Sequence, residues 1–222
     1  MQTSKTSERL SLIIAIAFCT IAPAIGYIKI GLPPVIIVGG AGAIGFVFWY
    51  LTYLKNPTDP KIILPIFLLT VAALQIHMVE EYFTGFGPAI SRIFDVSWTE
   101  KSFLLVFMMI GPILYTLTAL GLYYRIRIAG FIAWFIFIGP GVAEFTHFIF
   151  PLIEPSLQPD NLHSITQTIN GTQVADMPNY YVKATGTYYF SGMYTAVLPM
   201  IPGIYAIYRL TKEYRMKGKT KA

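Results

Sequence analysis

Long apolar runs broken by short polar connections set the pattern of this chain. The runs cover about 10–30, 33–54, 62–83, 102–124, 128–153 and 188–210. Each is close to the ~20 residues that a helix needs to cross a bilayer. The pattern predicts an all-α integral membrane bundle of six transmembrane helices in one domain. A long polar connection at 154–187 and a basic tail at 211–222 complete it. Proline and glycine recur inside the runs: Pro23, the "GGAGAIG" of 39–45, Pro112, the "GPG" of 139–141, Pro199 and Pro202. Small residues let membrane helices approach closely, and prolines free carbonyls that neighbouring helices must satisfy. The second run, richest in glycine, is therefore expected to pack centrally.

Composition points the same way. Of 222 residues, 55% are hydrophobic and 12% are charged, where a soluble domain carries about 25% charged residues. The single cysteine, Cys19, lies in an apolar run and excludes an internal disulfide. The first run, preceded by Lys5 and Arg9, also has the shape of a signal peptide. It continues to Ile30, and Pro23 sits badly for cleavage, which favours a retained helix.

Basic residues orient the bundle. The N-terminus, the second and fourth connections and the end of the chain from Arg209 onward hold 12 of the 16 lysines and arginines. The other connections hold Lys29, Arg92, Lys101 and Lys183. Both termini are thus expected in the cytoplasm, consistent with an even number of spans. The net charge of +5 is largely this topology signal, and the tail can also touch anionic lipid. No nucleic-acid reading follows, because the basic residues lie at membrane edges and do not line a groove of stacking aromatics.

The chemistry is concentrated in two places. "LQIHMVEEYF", residues 74–83, places His77, Glu80 and Glu81 late in the third run. Positions i, i+3 and i+4 share one helical face. The fifth run carries Glu144 and His147, again i and i+3. With both runs directed outward, the two clusters stand at one depth, roughly 22–28 Å from the inner edge. The "GPG" before Glu144 is expected to break the helix, so that a new half-helix begins near Val142 with its amides towards Glu144. Tyr188, Ser191 and Thr195 share a face of the sixth run, and their hydroxyls are candidates for substrate binding or for hydrogen bonds to the cluster. Interfacial tyrosines also form aromatic belts, an ordinary reading for Tyr188 and Tyr189.

Two connections are placed to cover this layer. Residues 84–101 read as a short amphipathic segment with Ile90, Ile93 and Phe94 on one side. Residues 154–187 form a long polar loop, the kind that serves as a lid or as a connector. The loop contains His163, which is given no role, and the acceptor sequon Asn170-Gly171-Thr172.

The stretch "HMVEE" resembles the HXXEE-domain family of integral membrane proteins, named for this motif. "AEFTH" looks like that family's second histidine region, and "YYFSGMYTAVLP" is similar to a late glycine-containing segment. The resemblance spans most of 62–205 and rests mainly on His77, Glu80, Glu81, Glu144 and His147. It implies a membrane protein suspected of enzymatic activity and brings no substrate. A looser similarity links the chain to sterol isomerases of the emopamil-binding type, which place a histidine and a glutamate on one membrane helix with one more residue between them.

An ionised residue at mid-membrane costs about 2.5–3.5 kcal/mol on an insertion scale. The three glutamates must therefore be protonated, paired, hydrated or metal-bound. Metal-free acid–base catalysis is the leading expectation, with His77, Glu80, Glu81, Glu144 and His147 isomerising, cyclising or hydrolysing a lipid or terpenoid-like substrate and no cofactor. Phe83, Trp134, Phe145 and Phe148 are available aromatics for a carbocation. The alternative uses the same five residues as ligands for iron or zinc. Glu144-x-x-His147 matches the unit of di-iron bundles, with Glu154 or Asp160 needed as a fourth carboxylate. A proton-coupled carrier and a purely structural network are the remaining alternatives. The partners implied are membrane lipid and a hydrophobic small molecule.

Overall fold

A computed structural model of the chain describes residues 2–158 and 164–219. Asp160 and His163 lie outside the described residues. Among the described residues the regular structure is helical apart from one β-hairpin. Helix α1 covers Gln2–Ile30 and α2 covers Val35–Thr52. Helix α3, Pro60–Phe83, is capped by Asp59, whose carboxylate accepts the Lys61 amide at 3.0 Å. Pro60 takes the first helical position, where a missing N–H is harmless. A short helix α4, Phe86–Phe94, follows, then α5, Glu100–Tyr123, and α6, Arg127–Leu152. Strands β1 (Ile165–Ile169) and β2 (Thr172–Met177) pair antiparallel. Helices α7, Val182–Thr185, and α8, Val197–Lys219, end the chain.

Five of these helices, α1, α2, α3, α5 and α6, are long and apolar enough to cross a membrane. Their outer faces carry side chains such as Ile13, Ile28, Leu69 and Phe83 bare, an arrangement suited to lipid. Prolines perturb the winding locally. The turns Val35–Gly39 and Leu104–Ile110 are π-wound, beside Pro33-Pro34 and Gly111-Pro112. Proline removes a backbone donor and crowds the preceding turn.

The central position belongs to α6 rather than to α2. Helix α6 packs against α1, α2, α3, α5 and α8. Of its apolar window 56% is buried, against 22% for α2. The glycines of α2 serve two flanking contacts. A methyl group on Gly42 would meet Cys19 of α1 at 3.3 Å, and one on Gly45 would meet the Phe135 backbone of α6 at 3.0 Å. A close helix crossing joins α6 to α8, where a Cβ on Gly203 would lie 2.4 Å from the Gly141 Cα.

The expected run 188–210 is not one helix. Residues 187–196 form an irregular, turn-rich segment, and α8 begins at Val197. Gly192 has φ +82°, and the Tyr194 and Thr195 amides bond to a side chain of α3. The segment therefore pairs its backbone partly with α3 and partly within its own turns, where the Met193 amide donates to the Phe190 carbonyl and the Ala196 amide to the Gly192 carbonyl. From Val197 to the first basic residue, Arg209, the helix rises only about 18 Å.

Candidate functional site

The site is built where the last turns of α3 meet the end of α6. His77 and Glu81 stand one turn apart on α3, both buried. In α6 the α-helix runs through Pro140 to Val142, and Ala143–Phe148 continues as a 3-10 turn. The "GPG" does not start a new half-helix. Gly141 lies against Gly203, and the winding tightens only after Val142. In this turn Glu144 and His147 are i and i+3, the eclipsed spacing of a three-residue repeat. Both side chains thus face α3.

Four atoms form an alternating ring. His77 Nε2 is 3.1 Å from Glu144 Oε2 and 3.4 Å from Glu81 Oε1. His147 Nε2 is 2.9 Å from the same Glu144 oxygen and 3.1 Å from the same Glu81 oxygen. One ligand atom from each of the four residues lies within 4.8 Å of the others. The imidazoles meet edge to face, with centroids 4.8 Å apart. His77, Glu81 and His147 are nearly inaccessible, while 14% of the Glu144 side chain is exposed. Access to the ring is therefore at Glu144.

Outer hydrogen bonds orient both imidazoles. His147 Nδ1 lies 2.7 Å from the Ser191 carbonyl, which can only accept, so Nδ1 carries a proton. His77 Nδ1 lies 3.0 Å from Thr195 Oγ1. That hydroxyl donates to Glu80 Oε2 at 2.6 Å, so it accepts from His77. In both rings the outer nitrogen is a donor, and Nε2 is turned towards the two carboxylates.

Glu80 is not a member of the ring. Its carboxylate accepts the Thr195 amide and hydroxyl, the Tyr189 phenol and the Tyr194 amide. A 100° step per residue separates it from Glu81, and the segment 189–195 fills the space on its side. Ser191 is buried, with Oγ 2.6 Å from Thr84 Oγ1 and 3.2 Å from the Glu81 carbonyl. Ser191 and Thr195 thus orient the histidines through a turn, not from one helical face. Tyr188 does not reach the site. It is exposed, and its hydroxyl donates to the Phe148 carbonyl.

Gly192 closes one side of the ring. A Cβ there would lie 2.7 Å from Glu81 Cγ, 2.8 Å from His77 Cε1 and 3.0 Å from His147 Cε1. Only glycine fits, both for this contact and for its positive φ. Phe86, Phe150 and Phe190 surround His147, with ring centroids 5.3, 6.1 and 6.0 Å away. Of the aromatics expected from sequence, Phe83 and Phe145 are exposed and Trp134 is buried among Phe48 and Phe137.

The described residues show no open polar cavity at the ring. A shallow crevice between Phe86, Glu100 and Phe103 reaches Glu81 without room for a water-sized molecule, so it is no small-molecule pocket as it stands. Helix α4 is buried from Phe86 to Ile93, with only Phe94 of its expected apolar face exposed. The loop rests on it: Ser156 and Leu157 amides donate to the Ile93 and Arg92 carbonyls, and Arg92 donates to the Met177 carbonyl at 3.0 Å. Tyr180 ties the loop to α3 by donating to the Thr84 carbonyl at 2.6 Å. Burial pushes its phenol up to about 12, against the pull of that bond and with help from the Glu80 charge, so it remains a donor at physiological pH.

The sequence singled out every member of the ring. It missed Gly192 as a packing element, Tyr189 as a partner of Glu80, and the three phenylalanines, which arrive from separate segments. Glu154, a possible fourth carboxylate of a di-iron centre, is exposed and bonds to Gln158. Among the described residues the group has two carboxylates, half of what a di-iron bundle uses.

No protein family matches this chain, nor does any curated protein or solved structure.

Proposed function

We propose that this protein is a membrane-embedded enzyme that transforms a lipophilic substrate at the ring of His77, Glu81, Glu144 and His147. One observation carries the reading: four titratable side chains from two apolar helices share a single buried contact. A network that served only to fix helix register would satisfy all its polar atoms. Here Glu81 Oε2 is buried without a hydrogen-bond partner among the described residues.

The chemistry this arrangement suits is proton transfer to and from a substrate at Glu144, the one accessible member. The reaction classes are isomerisation, cyclisation or hydrolysis. The substrate reaches Glu144 from the hydrocarbon layer, which is consistent with bare apolar faces on α3 and α5. The crevice is too small for a lipid, so binding requires neighbouring elements to part. In this reading α8 and the segment before it complete a sixth crossing, and both termini face the cytoplasm. The five-residue resemblance to the HXXEE-domain family fits the same proposal, with Glu80 in a supporting role.

The test compares lipid extracts of membranes expressing the wild type, Glu144→Gln and His147→Gln. Both variants must be present at equal levels and monodisperse in detergent. A lipid species consumed or formed only with the wild type is the expected result. Identical extracts across all three, with native lipid supplied in excess, would remove the enzymatic reading.

A further inference from the structure

The ring presents an unusual balance of donors and acceptors. Each histidine spends its Nδ1 proton outward, on Thr195 or on the Ser191 carbonyl. When neutral, both imidazoles then turn lone pairs inward, beside two carboxylate oxygens. Four acceptors at 2.9–3.4 Å repel one another unless positive charge sits between them. Two arrangements supply it: a proton on each Nε2, or a cation inside the ring.

The hydrogen-bond geometry separates the two. Both Nε2 atoms are aligned for a hydrogen bond to the same oxygen, Glu144 Oε2. Glu81 takes part at ion-pair distance through Oε1, and its Oε2 is buried and unpartnered among the described residues. Protons alone therefore leave one carboxylate oxygen without a partner in a water-poor layer, which is costly. A cation engages both imidazoles, Glu144 and Glu81 together, each through one converging atom, and a bidentate Glu81 would use its second oxygen as well. Two ionised glutamates neutralise a divalent charge.

We infer that His77, Glu81, Glu144 and His147 bind one divalent transition metal of the zinc, iron(II) or manganese(II) class. The ligand set is two imidazoles and two carboxylates, which suits these metals and is too nitrogen-rich for magnesium or calcium. Contacts of 2.9–3.4 Å between neighbouring ligand atoms fall within the roughly 2.8–3.6 Å edges of octahedral and tetrahedral sites with bonds of about 2.0–2.2 Å. The fixed tautomers are those of metal-bound histidines whose other nitrogen donates to a carbonyl or hydroxyl. Gly192 covers one side, and the partly exposed Glu144 marks the side where a further ligand or substrate can join. The inference deepens the enzymatic reading and concerns the same four side chains, but its test does not use turnover.

Tag-free protein is purified in detergent and its metal content measured. It is then stripped with a chelator and titrated with cobalt(II), whose visible absorption reports nitrogen and oxygen ligation. Near one equivalent of metal per chain, and a cobalt band saturating at one equivalent, are expected. Glu144→Gln, similar in shape but uncharged, should weaken cobalt binding at least tenfold. Should that variant fail to fold, the wild type alone decides: one equivalent of zinc or cobalt must raise the melting temperature of stripped protein. Less than about half an equivalent as purified, together with no saturating band and no thermal shift, overturns the inference. So does unchanged cobalt affinity in a folded Glu144→Gln protein. Metal bound without lipid conversion retains the site and removes the enzymatic reading. Conversion that depends on Glu144 in a protein that binds no metal does the reverse.

Discussion

Glu80 and Glu81 are adjacent in the chain, yet their carboxylates belong to different networks. Glu81 stands 3.4 Å from His77 and 3.1 Å from His147, while Glu80 accepts the backbone and hydroxyl of Thr195 at 2.8 and 2.6 Å. The two glutamine substitutions should therefore differ. Glu81→Gln is expected to abolish metal retention and to melt at the temperature of the stripped wild type, with no rise when metal is added. Glu80→Gln is expected to lower stability by about 1.5–3 kcal/mol, the worth of hydrogen bonds to a charged group, while keeping the metal. Thermal melts in detergent paired with metal content distinguish them, and the opposite assignment would refute the division of roles.

Thr195 links the two networks through one oxygen. Thr195→Val keeps the shape but removes the acceptor that orients His77 and one donor to Glu80. Removing such an outer partner typically costs 10–100-fold in metal affinity, so a loss of about that size is expected. Cobalt titration gives the measurement, with Thr195→Ser as the rescue. Equal affinity in Val and Ser variants would show that His77 is held by packing alone.

Gly192→Ala tests the closure of the ring. The added methyl group must displace Glu81 and both imidazoles, and it also adopts a positive φ. About 1–3 kcal/mol of strain is expected, with loss of metal. Gly186→Ala is the control, because its φ is +72° and no atom lies within 4 Å of the new methyl. It should show a modest loss of stability with full metal retention. Equal behaviour of the two variants would mean that Gly192 matters for its backbone only.

The α6–α8 crossing should tolerate no side chain. Gly203→Val would force apart backbones that now touch at Gly141. Overpacking of this kind typically costs about 1–3 kcal/mol, so a melting temperature lower by several degrees is expected. Valine at Gly40, where nothing lies within 4 Å, should be nearly neutral. A Gly203→Val protein as stable as the wild type would refute this crossing.

Asn170 reports orientation. It occupies the tip of the hairpin, exposed, with φ +49°, followed by Gly171 at +76°. Those are the left-handed values of a two-residue hairpin turn. Expressed through a eukaryotic secretory pathway, the wild type should show a glycosidase-sensitive mobility shift that Asn170→Gln lacks. A wild type without the shift, alongside a glycosylated sequon placed in the 55–59 connection, would reverse the proposed topology.

Much of this architecture was legible along the chain, because bilayer thickness converts directly into apolar run length. Five of the expected spans lie within a few residues of helices of suitable length and hydropathy. The pairing of His77 and Glu81 with Glu144 and His147 was equally readable, since each cluster repeats at a helical spacing inside an otherwise apolar run. Run length and helical spacing are local properties, and local sequence suffices for them.

The rest depended on long-range contacts. The segment 188–196 departs from a helix beside Glu80, which takes the Tyr194 and Thr195 amides and the Tyr189 and Thr195 hydroxyls more than one hundred residues away in sequence. Glu80 left the ring for the same reason, although its spacing from His77 looked as favourable as that of Glu81. The centrality of α6 over the glycine-rich α2 followed from which neighbours surround it, and glycine count carries no such information. A helical wheel says which side chains share a face; only packed neighbours decide what occupies the space that face looks into.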